Sequence, residues 1–179
     1  MLETAQLRLD KARYDDWEEM YRNVWSRPEC ARYMLWSLTV SPEEARARIL
    51  RTIEFQKTHD TYLVYEKAAG RAIGFAGVEE TAPGVCSEAG ICLGPEFFRR
   101  GYGRQLLLRL MDYARERYDA REFLCFAREE NIASNGLIRS LGFNLMGAEE
   151  RVDERDGSTY RLLRYQKTLV GEGQTSGSI

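Results

Sequence analysis

The sequence predicts a mixed α/β fold, with one central mixed sheet flanked by helices. Three features support this fold class: short segments that alternate as strands do, longer segments with apolar residues at helical spacing, and the order of the two along the chain. The predicted order is β-α-α-β-β-β-α-β-α-β-β. A strand, a long helix and a second strand between residues 85 and 127 imply a parallel crossover. The short turns on either side imply antiparallel pairs and therefore a mixed sheet.

The N-terminal part of the chain contains one predicted strand and two predicted helices. Residues 7–9 alternate between apolar and polar, as in a strand. Apolar residues at helical spacing from Trp17 onward predict a first helix that ends before Pro28. The second helix has the stronger signal, because Ser41 is a good N-cap and Glu44 completes a capping box.

The middle of the chain predicts a three-stranded meander followed by a long helix. The strands cover residues 62–66, 72–78 and 85–93, with turns at Gly70 and Gly84. The helix that follows has one broad apolar face, as expected for a helix that packs on a sheet. The residues of that face are Leu106, Leu107, Leu110, Met111 and Ala114.

The C-terminal part predicts a strand, a short helix and a hairpin. The strand covers residues 123–127, and Gly142 closes the helix that follows it. Residues 143–150 and 159–167 form the two strands of the hairpin, which turns at Asp156 and its neighbouring glycine.

Length and composition indicate a single globular domain. The chain has 179 residues, of which 44% are hydrophobic and 30% charged. The domain is expected to cover residues 1–170, and the small, polar residues 171–179 are expected to form a disordered tail. The net charge of −2 gives no reason to expect nucleic acid or a membrane as a partner. No apolar run approaches the roughly 20 residues of a spanning helix, so we expect a cytoplasmic protein.

Metal chemistry and histidine-dependent catalysis have little support in the sequence. The only histidine is His59, and the cysteines show no C-x-x-C pair. We therefore expect no metal site, and we interpret the cysteines as small buried apolar residues. The cysteines are Cys30, Cys86, Cys92 and Cys125.

The segment PEFFRRGYGRQLLLRLMDYARERY combines glycines and arginines at the start of a helix. The first turn of a helix exposes unpaired N–H groups and carries partial positive charge. Gly101 and Gly103 let the backbone approach an anion. The arginines Arg99, Arg100 and Arg104 add charge and donors suited to phosphate. The segment therefore predicts a pyrophosphate site, with a solvated basic turn as the alternative.

The better-known nucleotide motifs do not match this segment. A Walker A loop requires G-x-x-x-x-G-K-[ST], and no part of the chain fits it. The dinucleotide fingerprint requires a third glycine, where this chain has Leu106. A nucleotide-phosphate-binding protein of either type is therefore the weakest of the functions considered.

A second motif decides among these possibilities. The segment NIASNGLIRSLGF, together with ICLGPEFFRRGYGRQLL, resembles the GNAT-type N-acetyltransferase superfamily, and within it the branch of the ribosomal-protein alanine N-acetyltransferases. The segment RYMLW, followed by SPEEA, is similar to the region between the first two helices of that branch. The resemblance extends over about residues 7–167 and implies acetyl-CoA as the co-substrate.

The resemblance implies which residues hold acetyl-CoA. The loop before the long helix wraps the pyrophosphate through backbone N–H groups, and the preceding strand end pairs with the pantetheine arm. Phe98 departs from the family pattern of Gln or Arg, so one phosphate contact must come from Arg99 or Arg100 or be missing. The implied acetyl-CoA residues are Ile91, Leu93, Arg99, Arg100, Gly101, Tyr102, Gly103, Arg104 and Asn131.

The resemblance also implies residues for proton transfer and for the acceptor. An amine attacks only when neutral, and a lysine-like amine with a pKa of ~10.4 is protonated at pH 7, so a general base is useful. Glu88 is the implied base. The alternative is that Glu88 is an ordinary solvent-facing glutamate of its strand. Ser134 is the implied acid, because Ile138 replaces the tyrosine that usually has this role. The alternative is that Ser134 only caps the helix. Tyr33 and Trp36 are expected to line the acceptor side, or else to belong to the core.

Together these implications predict an acetyl-CoA-dependent N-acetyltransferase that acts on a primary amine. The amine would belong to a protein N-terminus or to a small molecule, and it would attack directly in a ternary complex. A noncatalytic acyl-CoA-binding sensor on the same fold is the alternative. Because dimers are common among relatives, we expect a monomer or a homodimer.

Overall fold

The strands form one eight-stranded sheet in the computed structural model, which describes residues 1–169. The strands are β1 (Leu2–Glu3), β2 (Leu7–Asp10), β3 (Thr61–Glu66), β4 (Arg71–Ala82), β5 (Val85–Leu93), β6 (Glu122–Arg128), β7 (Asn144–Val152) and β8 (Thr159–Thr168). Their order across the sheet is β1-β2-β3-β4-β5-β6-β8-β7. The disordered tail predicted at residues 171–179 lies outside the described residues.

Five α-helices connect the strands within residues 1–169. They are α1 (Trp17–Met20), α2 (Pro28–Ala31), α3 (Pro42–Phe55), α4 (Tyr102–Tyr118) and α5 (Ile132–Ser140). The first predicted helix is present, but α1 continues as a π-helical turn over Tyr21–Trp25, so its hydrogen-bond spacing changes midway. The short elements β1 and α2 are not predicted by the sequence pattern.

One pair of neighbouring strands is parallel, and it is the pair that the sequence predicts. β5 and β6 run parallel and are connected by α4, whereas every other neighbouring pair is antiparallel. This topology confirms the predicted fold class of a mixed sheet flanked by helices. Within residues 1–169, no helix is long and apolar enough to cross a membrane.

Each face of the sheet carries its own hydrophobic core. α4 and α5 pack on one face, where Leu106, Leu107 and Leu110 of α4 are at most 1% exposed. α1, α2 and α3 pack on the other face, where Met20 and Ile49 are fully buried. Burying one such side chain stabilises a fold by about 1.5–3 kcal/mol. The periodic apolar residues of the sequence therefore decide which side of each helix meets the sheet.

The three longer helices begin in different ways. At α3, the Ser41 hydroxyl accepts a hydrogen bond from the Glu44 N–H (3.2 Å), as predicted. The Glu44 carboxylate, however, accepts from the Val40 N–H (2.8 Å) and not from that of Ser41, so this half of the capping box is shifted by one residue. Asn131 is the N-cap of α5. α4 begins at Gly101, and no side chain caps it.

Candidate active site

β5 has a paired edge and a largely free edge. Its pairing with β6 covers only residues 85–87, opposite residues 122–124. Its pairing with β4 on the other edge continues to Leu93. A parallel strand that leaves its neighbour exposes backbone N–H and C=O groups along that edge. We call the space between the two strands beyond Ser87 the β5–β6 gap.

A β-bulge in β5 lies where this gap begins. Val78 of β4 is opposite Glu88, and Ala76 is opposite Ile91, so one intervening residue of β4 faces two of β5. One of those two is Gly90, whose φ of 88° is a conformation that residues with a side chain rarely adopt. Because bulges bend a strand and increase its twist, this one accounts for the separation of β5 from β6.

The free edge of β5 presents the backbone of Ile91 and Leu93. The Gly94 N–H donates to the Ile73 C=O of β4 (2.8 Å). Backbone groups of an antiparallel strand alternate between its two edges, so those of Leu93 and Ile91 face away from β4. The Leu93 C=O accepts a hydrogen bond from the Cys30 thiol (3.3 Å). Ile91 and Leu93 therefore lie on the strand edge where we expect the pantetheine arm from the family resemblance.

The side chain of Glu88 bridges the β5–β6 gap. Its Oε2 accepts a hydrogen bond from the Gly90 N–H (2.7 Å), and its Oε1 accepts one from the Phe126 N–H of β6 (3.4 Å). Burial raises the pKa of Glu88 to about 7, although the two hydrogen bonds favour the charged form; the charge of Glu79 adds a smaller rise. A carboxylate whose pKa lies near neutrality is suited to accept a proton at physiological pH.

The N-terminus of α4 is open. Arg99 and Gly101 have φ values of 61° and 75°, and the first turn of α4 contains no acidic residue. No atom outside the neighbouring residues lies within 4 Å of the position that a Cβ would occupy at Gly101. The free N–H groups, the helix dipole and the exposed side chains of Arg99 and Arg104 suit this end to an anion.

Two residues of the same loop bond a carboxylate behind it. Glu66, at the end of β3, is 6% exposed and accepts hydrogen bonds from the Tyr102 hydroxyl (2.9 Å), Arg100 (3.2 Å) and Arg71 (3.5 Å). We call these four residues the Glu66 network. In this arrangement the side chains of Arg100 and Tyr102 support the loop, so their expected contacts with a phosphate are left to the backbone.

A buried asparagine fixes the turn between β6 and α5. Asn135 is 3% exposed, and its Nδ2 donates to the C=O groups of Arg128 (2.9 Å), Glu129 (3.2 Å) and Asn131 (2.8 Å). Its Oδ1 accepts a hydrogen bond from the Tyr165 hydroxyl of β8 (2.8 Å). The three Nδ2 contacts hold the backbone at the end of β6 and in the turn after it, and the Tyr165 contact ties Asn135 to β8. The start of α5 is therefore fixed from the side of the core.

Asn131, and not Ser134, caps α5. The Asn131 Oδ1 accepts a hydrogen bond from the Ser134 N–H (3.1 Å). The Ser134 hydroxyl has no hydrogen-bond partner among the described residues and is partly exposed. α4 approaches α5 closely nearby, because a Cβ at Gly103 would lie 3.1 Å from the Leu137 side chain. The expected acid thus lies next to the junction of the two helices, with its hydroxyl free.

A cavity of about 830 Å³ lies between α3 and the sheet. It extends to Ala89, the neighbour of Glu88 in the bulge. Trp36 lines this cavity, whereas Tyr33 is not among its lining residues. The Tyr33 hydroxyl instead donates to the Glu130 C=O (3.2 Å), which ties the loop after α2 to the end of β6.

The turn between β7 and β8 holds the loop that carries Trp36. Arg155 Nη1 donates to the C=O groups of Ala31 (2.9 Å) and Trp36 (3.2 Å). The same guanidinium bonds Asp153, a buried carboxylate that also bonds Arg128 (2.7 Å). Arg155 and Arg128 hold the pKa of Asp153 well below its usual range, so it stays charged at neutral pH. One wall of the cavity is therefore braced by residues far away in the sequence.

Cys92 of β5 does not provide a reactive thiolate near the gap. All four cysteines are free and buried. The neighbouring Cys30 thiol and burial raise the pKa of Cys92, which keeps it protonated at neutral pH. Within residues 1–169, no group of three His, Cys, Asp or Glu side chains is placed to hold a metal ion.

Comparison with known proteins identifies the family. The family described as Acetyltransferase (GNAT) domain matches residues 6–144. The chain belongs to the GNAT acetyltransferase family. This match confirms the resemblance drawn from the two motifs and the predicted enzyme class.

Relatives of this GNAT chain support the same family and fold. It is 31% identical over 114 residues to the N-alpha-acetyltransferase RimI of Mycobacterium tuberculosis, a match that covers 62% of this chain and 69% of RimI. An acetyltransferase from Salmonella typhimurium that modifies the N-terminal serine of ribosomal protein L7/L12 has a TM-score of 0.75 at 22% identity, over 93% of this chain and 97% of that one. The protein yncA from Salmonella typhimurium, with its cofactor acetyl-CoA, has a TM-score of 0.68 at 19% identity, over 97% of this chain and 100% of that one.

The structure gathers most of the expected site residues around β5 and the ends of α4 and α5. Sequence reasoning missed four polar residues that shape this region. Asn135 left a usable signal, since it is a polar residue on the apolar face of a short helix. Glu66, Arg155 and Arg48, an arginine of α3 that lines the cavity, left none, because charged residues are frequent in their segments and their neighbours in space come from elsewhere in the chain.

Proposed function

We propose that this acetyltransferase transfers an acetyl group from acetyl-CoA to a primary amine by direct attack in a ternary complex. Acetyl-CoA supplies the activated thioester when bound. The residues that would hold it are the β5 backbone at Ile91 and Leu93, the loop and first turn of α4 at residues 99–104, and Asn131. The free strand edge and the uncapped helix support this placement, because both offer unpaired backbone donors.

Glu88 carries this proposal. Its carboxyl group lies in the β5–β6 gap with a pKa of about 7, and it follows the stretch where β5 and β6 are still paired. An amine must lose a proton to attack, and Glu88 would take that proton directly or through a water molecule. Glu79 is a weaker candidate for this role, since it is exposed on β4 and accepts a hydrogen bond from the Ser87 hydroxyl (3.2 Å).

Ser134 is the proposed donor to the leaving thiolate. Its hydroxyl is free of protein partners, whereas its backbone N–H is used by Asn131. A thiol has a pKa of about 8.5, so a thiolate leaves without full protonation. We therefore expect Ser134 to contribute less to the rate than Glu88.

The acceptor would occupy the cavity beside α3. Trp36 would form part of its wall, and Tyr33 would support that wall through its bond to Glu130. Of the relatives named above, RimI is an N-alpha-acetyltransferase and the L7/L12 enzyme modifies an N-terminal serine, so a protein N-terminus is one candidate acceptor and a small-molecule amine is the other. The raised pKa of Cys92 supports direct attack over an acetylated Cys92 intermediate.

Release of free thiol from acetyl-CoA, measured against a panel of amines and N-terminal peptides, tests the proposed function. We expect Glu88→Gln to lower kcat by about 100-fold or more while acetyl-CoA binding is kept, because a positioned base contributes rate and not affinity. Glu79→Gln is the matched control, and it should retain parental activity. Full activity of Glu88→Gln would remove Glu88 from the mechanism. Tight acetyl-CoA binding without turnover on any amine would favour the noncatalytic sensor.

The pH dependence of the same variant gives a second readout. The parental rate should rise with pH and level off above about 7, where Glu88 is ionised, and Glu88→Gln should lack that inflection. Since the folded pKa lies above the unfolded value, the stability contribution of Glu88 is present at low pH and is lost as pH rises through about 7. Urea unfolding at pH 5 and pH 8 should therefore show Glu88→Gln gaining stability relative to the parent at the higher pH.

A further inference from the structure

The cavity beside α3 contains an arginine that has no carboxylate partner. The Arg48 guanidinium lies 4.4 Å from the ring centre of Trp36 and 4.8 Å from that of Trp25. Its only hydrogen bond to a described residue runs from Nη1 to the Thr39 hydroxyl (3.0 Å). Burial lowers the pKa of Arg48 to about 10, so the group remains charged at neutral pH.

A second buried arginine shows what Arg48 lacks. Arg128 is 8% exposed, and the Asp153 carboxylate lies 2.7 Å from it. Within residues 1–169, no Asp or Glu oxygen lies within 4.0 Å of Arg48 or of Arg51, the other arginine of the cavity wall. A partly buried charge without a counter-ion is unfavourable, which points to a ligand that supplies the negative charge.

The cavity also contains an unpaired indole donor. The Trp36 Nε1 is buried and has no acceptor among the described residues. Glu44 also lines the cavity, but its carboxylate accepts a hydrogen bond from the Val40 N–H (2.8 Å) and lies more than 4.0 Å from the charged nitrogens of both arginines. Arginine and indole N–H groups set among aromatic rings suit an anionic group attached to an organic ligand.

The same cavity extends from Arg48 to Ala89, next to Glu88. We propose that Arg48 binds a carboxylate of the amine acceptor, so that this enzyme selects acceptors that carry a carboxylate in addition to the reacting amine. This inference rests on the proposed function, since it assigns a substrate class to the same site. The carboxylate can be that of a free amino acid or that of an acidic side chain in a short peptide.

Matched acceptor pairs test this inference and distinguish the two sources of the carboxylate. Alanine is compared with alaninamide, and alanyl-glutamate amide is compared with alanyl-glutamine amide. The parent should favour the carboxylate member of at least one pair, and Arg48→Gln should lower that ratio of kcat/KM by tenfold or more, because a charge-assisted hydrogen bond is lost. Comparing the ratio between parent and variant cancels the differences in amine basicity within a pair.

Arg46→Gln is the matched control. Arg46 lies on the same helix, 4.3 Å from the ring centre of Trp17, and pairs with Glu43 (3.4 Å), but it does not line the cavity. Its variant should keep the parental ratio. Acetyl-CoA affinity should be the same in the parent and in both variants. If Arg48→Gln does not fold, Arg48→Lys keeps the charge and should keep part of the ratio.

Loss of the preference at Arg48 alone supports the inference. A parental enzyme that uses both members of each pair equally, or a preference that survives Arg48→Gln, overturns it, while turnover of neutral amines leaves the proposed function standing. If no compound is turned over, calorimetric binding of the same four compounds makes the same comparison. Tighter binding of the carboxylate members that depends on Arg48 then supports the inference, and equal or absent binding overturns it, whereas the amine panel above decides the proposed function.

Discussion

The first turns of α3 and α4 present the same backbone problem and are completed differently. Both expose N–H groups that have no partner within the helix. At α3 the Ser41 hydroxyl and the Glu44 carboxylate accept hydrogen bonds from nearby N–H groups. At α4 no side chain caps Gly101, and the first turn has no acidic residue. The chain thus completes one helix start from its own side chains and leaves the other uncapped.

The open end of α4 carries a structural cost that other contacts offset. A glycine N-cap costs a few tenths of a kcal/mol relative to Ser, Thr, Asn or Asp, and a non-glycine residue with positive φ, as at Arg99, costs about 1–2 kcal/mol. The Glu66 network lies directly behind this loop and ties two of its residues to β3. An open helix start at the surface is therefore held in place from the interior.

The largest expected effect comes from placing a negative charge at the open end. Gly101→Asp should weaken acetyl-CoA binding at least about tenfold more than Gly101→Asn, since two like charges about 4 Å apart repel by several kcal/mol near a protein surface. Asn and Asp tolerate positive φ about equally well, so backbone strain cancels between the two variants. Isothermal titration with acetyl-CoA gives the two dissociation constants. Equal affinities would mean that the pyrophosphate does not bind at this helix end.

A smaller effect is expected when the support behind the loop is weakened. Glu66→Gln removes the ion pairs to Arg71 and Arg100 but can still accept a hydrogen bond from Tyr102. We expect a loss of about 1–3 kcal/mol in the free energy of unfolding, together with several-fold weaker acetyl-CoA binding, because two charge-assisted hydrogen bonds to a buried carboxylate are lost and the loop is loosened.

Glu116→Gln is the matched control for that variant. Glu116 also pairs with an arginine, Arg109, but it lies on the exposed side of α4 at 60% exposure. Its substitution should change the free energy of unfolding by less than about 1 kcal/mol and leave acetyl-CoA binding unchanged. If Glu66→Gln lowered stability without any change in affinity, the Glu66 network would support the fold alone and not the loop.

The sequence predicts what depends on neighbouring residues and misses what depends on distant ones. The caps of α3 follow from a local pattern, and the structure places them as expected apart from the one-residue shift at Glu44. The proposed anion site at α4 also rests on a local pattern, and the structure shows a helix start there that no side chain caps. The side chain of Arg100 could not be placed in this way, because its partner Glu66 lies 34 positions earlier. The cavity at Arg48 is assembled from α3, β3, β4 and β5, and no single segment contains its pattern.

The bulge in β5 is an intermediate case. Gly90 within a predicted strand is a usable signal of a bulge or of close backbone approach. The strand pattern does not predict the consequence of the bulge. At this point β5 separates from β6, and Glu88 bridges the two strands. The sequence was thus enough to propose where the site lies, whereas the geometry of its proposed base required the pairing of the strands.

The smallest expected effect comes from removing the cap at the start of α3, which should change stability without changing ligand binding. Ser41→Ala removes the acceptor for the Glu44 N–H and should lower the free energy of unfolding by about 1 kcal/mol, or the melting temperature by about 2–4 °C. Acetyl-CoA affinity should not change, because this cap bonds only its own helix. Thermal unfolding measured with and without acetyl-CoA gives both quantities, and the stabilisation by the ligand should equal that of the parent. A reduced ligand-induced shift in Ser41→Ala would show that the start of α3 also contributes to the cofactor site, and the contrast with α4 would then fail.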